Sequence, residues 1–343
     1  MRIAMSKPDL LGPLEIARAT ADFFAEPVLQ VTAPGGRTRT SFRVVLQSRS
    51  IIVTQRRDPA ITNLECHVLQ AFDGHCDAVP RFLGRVGTLM FQSDAGAERL
   101  NRKINSLPPE QRPALARQAV QAIFDMHRSA RSLNLAQGLP SRGIMSYPDD
   151  DLIGMVQDAA LSLATPIPGF DPATLDPAFR AEPRHFVKWD CRAGNAALDH
   201  SGTLRWFDFE ETRRAQGPED FAWLIADESW PLQVAQTTEI VRSLVTPDDC
   251  ADAVAFMTYL EQFSALHALR RIRLILHQAR RAGAWRDRVS ILKYDMVGVN
   301  PVMGERLARS GLDLCARHAA IRPLIPLFAR TADMFAAVRE PPV

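Results

Sequence analysis

Residues 186–211 read FVKWDCRAGNAALDHSGTLRWFDFEE. Two short apolar runs, Ala196–Leu198 and Leu204–Phe207, flank the turn-forming segment Asp199-His200-Ser201-Gly202-Thr203, a pattern that predicts a β-hairpin closed near Ser201. In an antiparallel pair, positions equally far from the turn face each other, so Asn195 comes to lie beside Phe207 and Asp208. Asp190 sits just upstream, on the loop entering the hairpin. Three oxygen-bearing side chains thus converge on the hairpin's open end. Carboxylate and amide oxygens at one point suit a hard cation such as Mg²⁺, which usually takes one or two carboxylates together with substrate phosphates. A further aspartate that does not ligate could accept the proton of an attacking hydroxyl, and the set is then equipped for phosphoryl transfer.

Composition narrows the alternatives. With 343 residues, 46% of them hydrophobic and 23% charged, the chain can bury a sizeable core in one large domain or two. A net charge of +2 is far from the basic balance that many phosphate contacts demand, which argues against a nucleic-acid partner. The five cysteines are odd in number and scattered, and the N-terminus has no sustained apolar segment, so a reducing cytoplasm is expected. No stretch approaches the roughly 18 apolar residues of a membrane span.

Along the chain, a helix is predicted at about 13–25. VLQVTAPGGRTRTSFRVVLQSRSIIVTQ then shows β-branched runs separated by turn formers, an antiparallel meander. Pro59 opens a helix in which Ile61, Leu64, Val68, Leu69 and Phe72 recur at helical spacing, and PRFLGRVGTLMFQS predicts two more strands around Val86-Gly87-Thr88. From Asp94 onward helical patterns dominate, at about 95–105, 110–133, 149–163 and over most of the chain after Pro218. A small sheet-rich lobe (1–93) is therefore expected before a larger helical lobe (94–343), with a ligand cleft at their junction.

Asp190-x-x-x-x-Asn195 followed by Asp208 resembles the catalytic loop and metal-binding aspartate of the protein-kinase-like fold, specifically those of the aminoglycoside phosphotransferase and choline kinase family. The family's His-Gly-Asp, four residues, Asn, then Ile-Asp-Phe/Trp-Glu and Gly-Asp-Pro…Asp compare with Lys188-Trp189-Asp190 to Asn195, Trp206-Phe207-Asp208-Phe209-Glu210 and Gly217-Pro218-Glu219-Asp220 here. The resemblance implies an α+β, two-lobe kinase-like fold and an ATP- or GTP- and Mg²⁺-dependent phosphotransferase acting on the hydroxyl of a small molecule. It implies Asp190 as base or orienter, Arg192 near the transferring phosphoryl group, and Asn195 and Asp208 as metal ligands. It further implies Asp220 as a brace for the loop. Gly35, Gly36, Arg37 and Ser41 fall in the place of the glycine-rich loop, with Arg39 nearby. Glu65 takes the place of the regulatory-helix glutamate, and Gln92 and Asp94 that of the interlobe hinge.

Two departures bear on activity. None of the four lysines, Lys7, Lys103, Lys188 and Lys293, lies on the N-terminal sheet, where kinases keep one that pairs the nucleotide phosphates with the helix glutamate. Arg56 or Arg57 is the candidate replacement on the strand, with Arg57 taken as the nucleotide-binding one; alternatively Lys188, in the place of the usual histidine, supplies the charge or braces the loop. A chain can keep such architecture and lose the chemistry, so a pseudokinase acting as a nucleotide-binding regulator is the alternative.

Asp227, Glu228 and Trp230, just beyond the third block, suggest a pocket for a cationic acceptor. Cys66-His67 and His75-Cys76 lack the spacing of short zinc patterns. Arg270, Arg273, His277, Arg280 and Arg281 fall on one helical side and read as a solvated basic face.

Overall fold

Alternation of apolar residues builds the first lobe. The computed structural model describes residues 10–34, 36, 40–144 and 151–338. Helix α1 (Pro13–Phe24) precedes strands β1 (Val28–Thr32), β2 (Ser41–Leu46) and β3 (Ser50–Gln55), helix α2 (Pro59–Phe72), and strands β4 (Phe82–Val86) and β5 (Leu89–Ser93). The five strands form an antiparallel sheet in the order β1-β2-β3-β5-β4. In β2 the even-numbered Phe42, Val44 and Leu46 turn inward and pack with Ile51, Val53, Phe91 and Ile16 of α1 on one face of the sheet. The opposite face is left to the cleft. Asp58 caps α2 by accepting the Ala60 N–H, with Pro59 preorganised at the first helical position.

Strand β6 (Glu98–Arg99) follows the connector, then α3 (Leu100–Ser106), α4 (Arg112–Ser132), α5 (Leu152–Ser162), β7 (His185–Val187), β8 (Ala196–Leu198), β9 (Leu204–Trp206), β10 (Arg213–Ala215), α6 (Glu219–Ile225), α7 (Val234–Leu244), α8 (Ala253–Ala282), α9 (Arg288–Tyr294), α10 (Pro301–Arg317) and α11 (Ile325–Ala336). The helix expected at about 95–105 begins at Leu100. Glu98 and Arg99 are instead drawn into extended pairing with Leu198 and Ala197 of β8, a contact that local periodicity cannot report.

The hairpin forms as its pattern predicts, Ala196 opposite Trp206 and Leu198 opposite Leu204, and Phe207 N–H donates to the Asn195 carbonyl at 2.9 Å. Its apolar side sinks into the core of the helical lobe, where Trp206 is fully buried and donates its indole N–H to the Ala119 carbonyl of α4. This anchors the polar end of the hairpin at the cleft. Among the described residues no helix is long and apolar enough to cross a membrane.

A candidate active site between the lobes

The loop 188–195 is held in an uncommon shape. Trp189 and Asp190 both adopt left-handed backbone, with φ of 58° and 54°, a conformation that costs a non-glycine residue about 1–3 kcal/mol and survives only where neighbours enforce it. Asp220, at the start of α6 and fully buried, supplies that enforcement: its oxygens accept the N–H groups of Lys188 at 2.8 Å and Trp189 at 2.7 Å, and His127 Nε2 lies 2.8 Å from Oδ2. Asp227 Oδ2 accepts the Ala193 N–H at 2.8 Å. Within the loop, Arg192 donates Nε and Nη2 to the two Asp190 oxygens at 2.7 and 3.2 Å, and Asn195 Nδ2 donates to Asp190 Oδ2 at 2.8 Å.

Lys188 is fully buried beneath this loop. Its Nζ lies 3.3 Å from the carbonyls of Trp189 and Asp190 and 5.5 Å from the Phe209 ring centroid. From there the ammonium faces the loop's own carbonyls.

The positive charge in the cleft comes from Arg56, immediately after β3. Its Nε and Nη2 donate to Glu65 of α2 at 2.7 and 2.9 Å, Nη2 reaches Asp208 Oδ1 at 2.6 Å, and Nη1 lies 2.7 Å from Glu210 Oε2. Burial alone would lower the Arg56 pKa; the three carboxylates outweigh it and hold the guanidinium charged. In return Asp208 and burial push the Glu210 carboxyl up to about 8. Asp208 itself has a φ of 68°, which turns its carboxylate from the hairpin end toward Arg56. Arg57, the arginine chosen from sequence, is exposed and does not line the cleft. The strand's alternation accounts for this: Ile52, Thr54 and Arg56 face the cleft while Ile51 and Val53 face the core, so an odd-numbered residue falls on the wrong side.

Between sheet and loop lies a cavity of about 430 Å³, lined by Ser41, Thr54, Arg56, Gln92, Asn195 and Asp208 among others. Gln92 is buried there with its Oε1 unbonded. Asp94 also lines it, but its carboxylate is saturated by Arg43 (2.6 and 2.9 Å), Ser50 Oγ (2.7 Å) and the Gly96 N–H (3.0 Å), so it ties β2 and β3 to the connector. Ser41 Oγ is 3.1 Å from Thr54 Oγ1 on the cavity wall. Gly36 has a φ of 92°, which suits a glycine turn; Gly35, Arg37 and Arg39 lie outside the described residues.

The acceptor pocket expected around Asp227, Glu228 and Trp230 is corrected by their surroundings. All three are buried and engaged internally. Glu228 forms a bidentate pair with Arg271 (2.9 and 2.6 Å) and accepts the Gly298 N–H at 2.7 Å, while Trp230 donates to Thr237 Oγ1 at 2.9 Å. Burial, then the neighbouring Glu228, raises the Asp227 carboxyl to about 6; burial would raise Glu228 too, but Arg271 brings it down to about 2.

Asp295 belongs to no motif or periodic pattern that would single it out in sequence. It caps α9 with a φ of 49° and approaches Arg192 at 3.5 Å and Arg99 at 3.6 Å, from a segment about a hundred positions beyond the loop.

Three solved structures share this fold over most of their length. A protein from Ralstonia eutropha JMP134 assigned as an aminoglycoside phosphotransferase matches 93% of this chain and 98% of its own at 14% identity, with a TM-score of 0.53. The choline kinase LicA from Streptococcus pneumoniae matches 89% of this chain and 99% of its own at 11% identity, TM-score 0.51. The fold is protein-kinase-like. A third, APH(2″)-IIa in a ternary complex with streptomycin and ATP, matches 80% of this chain and 95% of its own at 13% identity, TM-score 0.51. No protein-family model matches the chain. No curated protein matches it in sequence. Within a protein-kinase-like frame, the hairpin end, the loop 188–195 and Arg56 fall together at the junction of the lobes.

Proposed function

We propose that this protein transfers a phosphoryl group from ATP or GTP to the hydroxyl of a small molecule, acting in the cytoplasm. The observation that carries the reading is Arg56, which links Glu65 to Asp208 across the cleft and so fills the role of the absent strand lysine. The donor set fits a divalent metal: the Asp208 carboxylate and the Asn195 amide, both hard oxygen donors, line the cleft, and Glu65 and Asp208 together outnumber the one guanidinium between them. Asn195 and Asp208 would hold Mg²⁺. When bound, the ion supplies neutralisation of the nucleotide phosphates. Arg192 and Asn195 fix the Asp190 carboxylate by three hydrogen bonds, orienting it to accept the acceptor's hydroxyl proton as the new O–P bond forms and the bond to the nucleoside diphosphate breaks. Lys188 and Asp220 keep the loop in its left-handed shape.

A second reading, a nucleotide-binding regulator without turnover, draws on one observation: arginines already engage both Asp190 and Asp208. Thermal shift with ATP and GTP, with and without Mg²⁺, followed by phosphate transfer to a panel of amino alcohols and sugars, separates the two. The expected result is nucleotide stabilisation with turnover that Asp190→Ala abolishes. Binding without turnover on any acceptor favours the regulator, and absence of binding overturns both.

A further inference from the structure

A second cavity, of about 290 Å³, shares no lining residue with the cleft. Phe124 and Phe186, both nearly buried, and the half-buried Phe256 line this cavity, and its polar lining includes Arg131, Arg184, His127 and His185. Arg184 is exposed, and its guanidinium makes no hydrogen bond or ion pair among the described residues. The single carboxylate in the lining, Asp249, is already held through both oxygens by Arg128 at 2.9 and 2.7 Å and by the Thr246 N–H and hydroxyl. Arg131, 3.6 Å from Asp249, shares that carboxylate with Arg128, so two guanidinium groups face one acid. The cavity holds positive charge over an aromatic base. His185 registers this field: partial burial, then the like charges of Arg131, His127 and Arg184, lower its pKa.

We propose that this cavity is a binding site for a small organic anion, with its carboxylate or phosphate head between Arg131 and Arg184 and an aromatic body against Phe124, Phe186 and Phe256. Arginine forks favour planar or tetrahedral oxyanions, and Phe256, with the accessible edges of Phe124 and Phe186, offers apolar surface that a bare inorganic ion would leave uncovered. The site is separate from the cleft and does not depend on the phosphotransferase reading. Its floor is functional ground nonetheless: His127 lines the cavity and contacts Asp220, whose oxygens hold the Lys188 and Trp189 amides.

Phenyl phosphate is the probe, with the ring resonances of His127 and His185 followed by NMR during titration of the full chain. The expected result is a saturable shift with a dissociation constant in about the millimolar range or tighter, and weaker binding of inorganic phosphate. Arg184→Gln and Arg131→Gln should each weaken phenyl phosphate by about fivefold or more, whereas Asp208→Asn in the cleft leaves it unchanged. Because Arg184 is exposed, its variant should keep the wild-type melting temperature, which separates loss of binding from loss of fold. No saturable shift at these histidines, or equal affinity in wild type and both arginine variants, would overturn the proposal. So would equal affinity for phenyl and inorganic phosphate.

Discussion

Nη2 of Arg56 lies 2.6 Å from Oδ1 of Asp208, joining the end of β3 to the end of the β8–β9 hairpin across the two lobes. The same guanidinium takes both oxygens of Glu65 and one of Glu210. A planar fork with several fixed donors can serve three carboxylates at once; an ammonium is a point charge on a flexible stem. Arg56→Lys should therefore keep the charge and lose the geometry, destabilising the fold by about 1–3 kcal/mol in urea unfolding. Arg56→Met leaves buried Glu65 unpaired and should cost more, about 3–5 kcal/mol. Equal losses for the two variants would mean that charge contributes little here.

Gly194 is required by its neighbour. A Cβ at this position would stand 1.8 Å from Oδ1 of Asp295, the carboxylate that approaches Arg192. Gly194→Ala is expected to lower stability by about 1–3 kcal/mol, as other overpacked sites do. Asp295 has a φ of 49°, which glycine adopts freely, so the double variant Gly194→Ala/Asp295→Gly should recover much of the loss in melting temperature. No recovery would show that the added methyl clashes elsewhere.

Asp220 carries the strained loop. Asp220→Ala strands the buried amides of Lys188 and Trp189 and the His127 ring, at about 1–3 kcal/mol for each donor left unsatisfied. Faster hydrogen exchange at the two amides is the specific signature to look for. Asp220→Asn keeps one carbonyl oxygen and should be milder.

The Glu228–Arg271 pair predicts a pH dependence with a definite sign. The folded carboxyl sits at about 2, below its ordinary value of 4.5, so its contribution is complete above the unfolded pKa and is lost as pH falls through the folded one. Glu228→Gln should destabilise by about 3–5 kcal/mol near neutrality, because buried Arg271 loses its partner. The gap between wild type and variant should then narrow from about pH 5 toward pH 2 in urea unfolding at several pH values. A gap independent of pH would remove the ion pair as its cause.

Much of the candidate site was legible before the structure. The hairpin follows from turn chemistry and two apolar runs, and antiparallel pairing alone brings Asn195 beside Asp208. Arg56 could have been separated from Arg57 by carrying the strand's alternation two residues further, since the side chains facing the cleft are the even-numbered ones. Asp227, Glu228 and Trp230 misled because acids and aromatics near a site look the same in sequence whether they line a pocket or fill a core. Their partners, Ala193, Arg271 and Thr237, come from three different elements.

Local pattern by itself determined the meander, the capped helix α2, the hairpin and the pairing that sets Asn195 beside Phe207 and Asp208, because each rests on contacts between residues close in the chain. Tertiary structure alone decided which charges meet. Arg56 finds Asp208 from 152 positions away, Asp295 reaches Arg192 from another helix end, and Lys188 is turned under its own loop by Asp220. Periodicity says which face a side chain takes, and only packing of the lobes says what waits on that face.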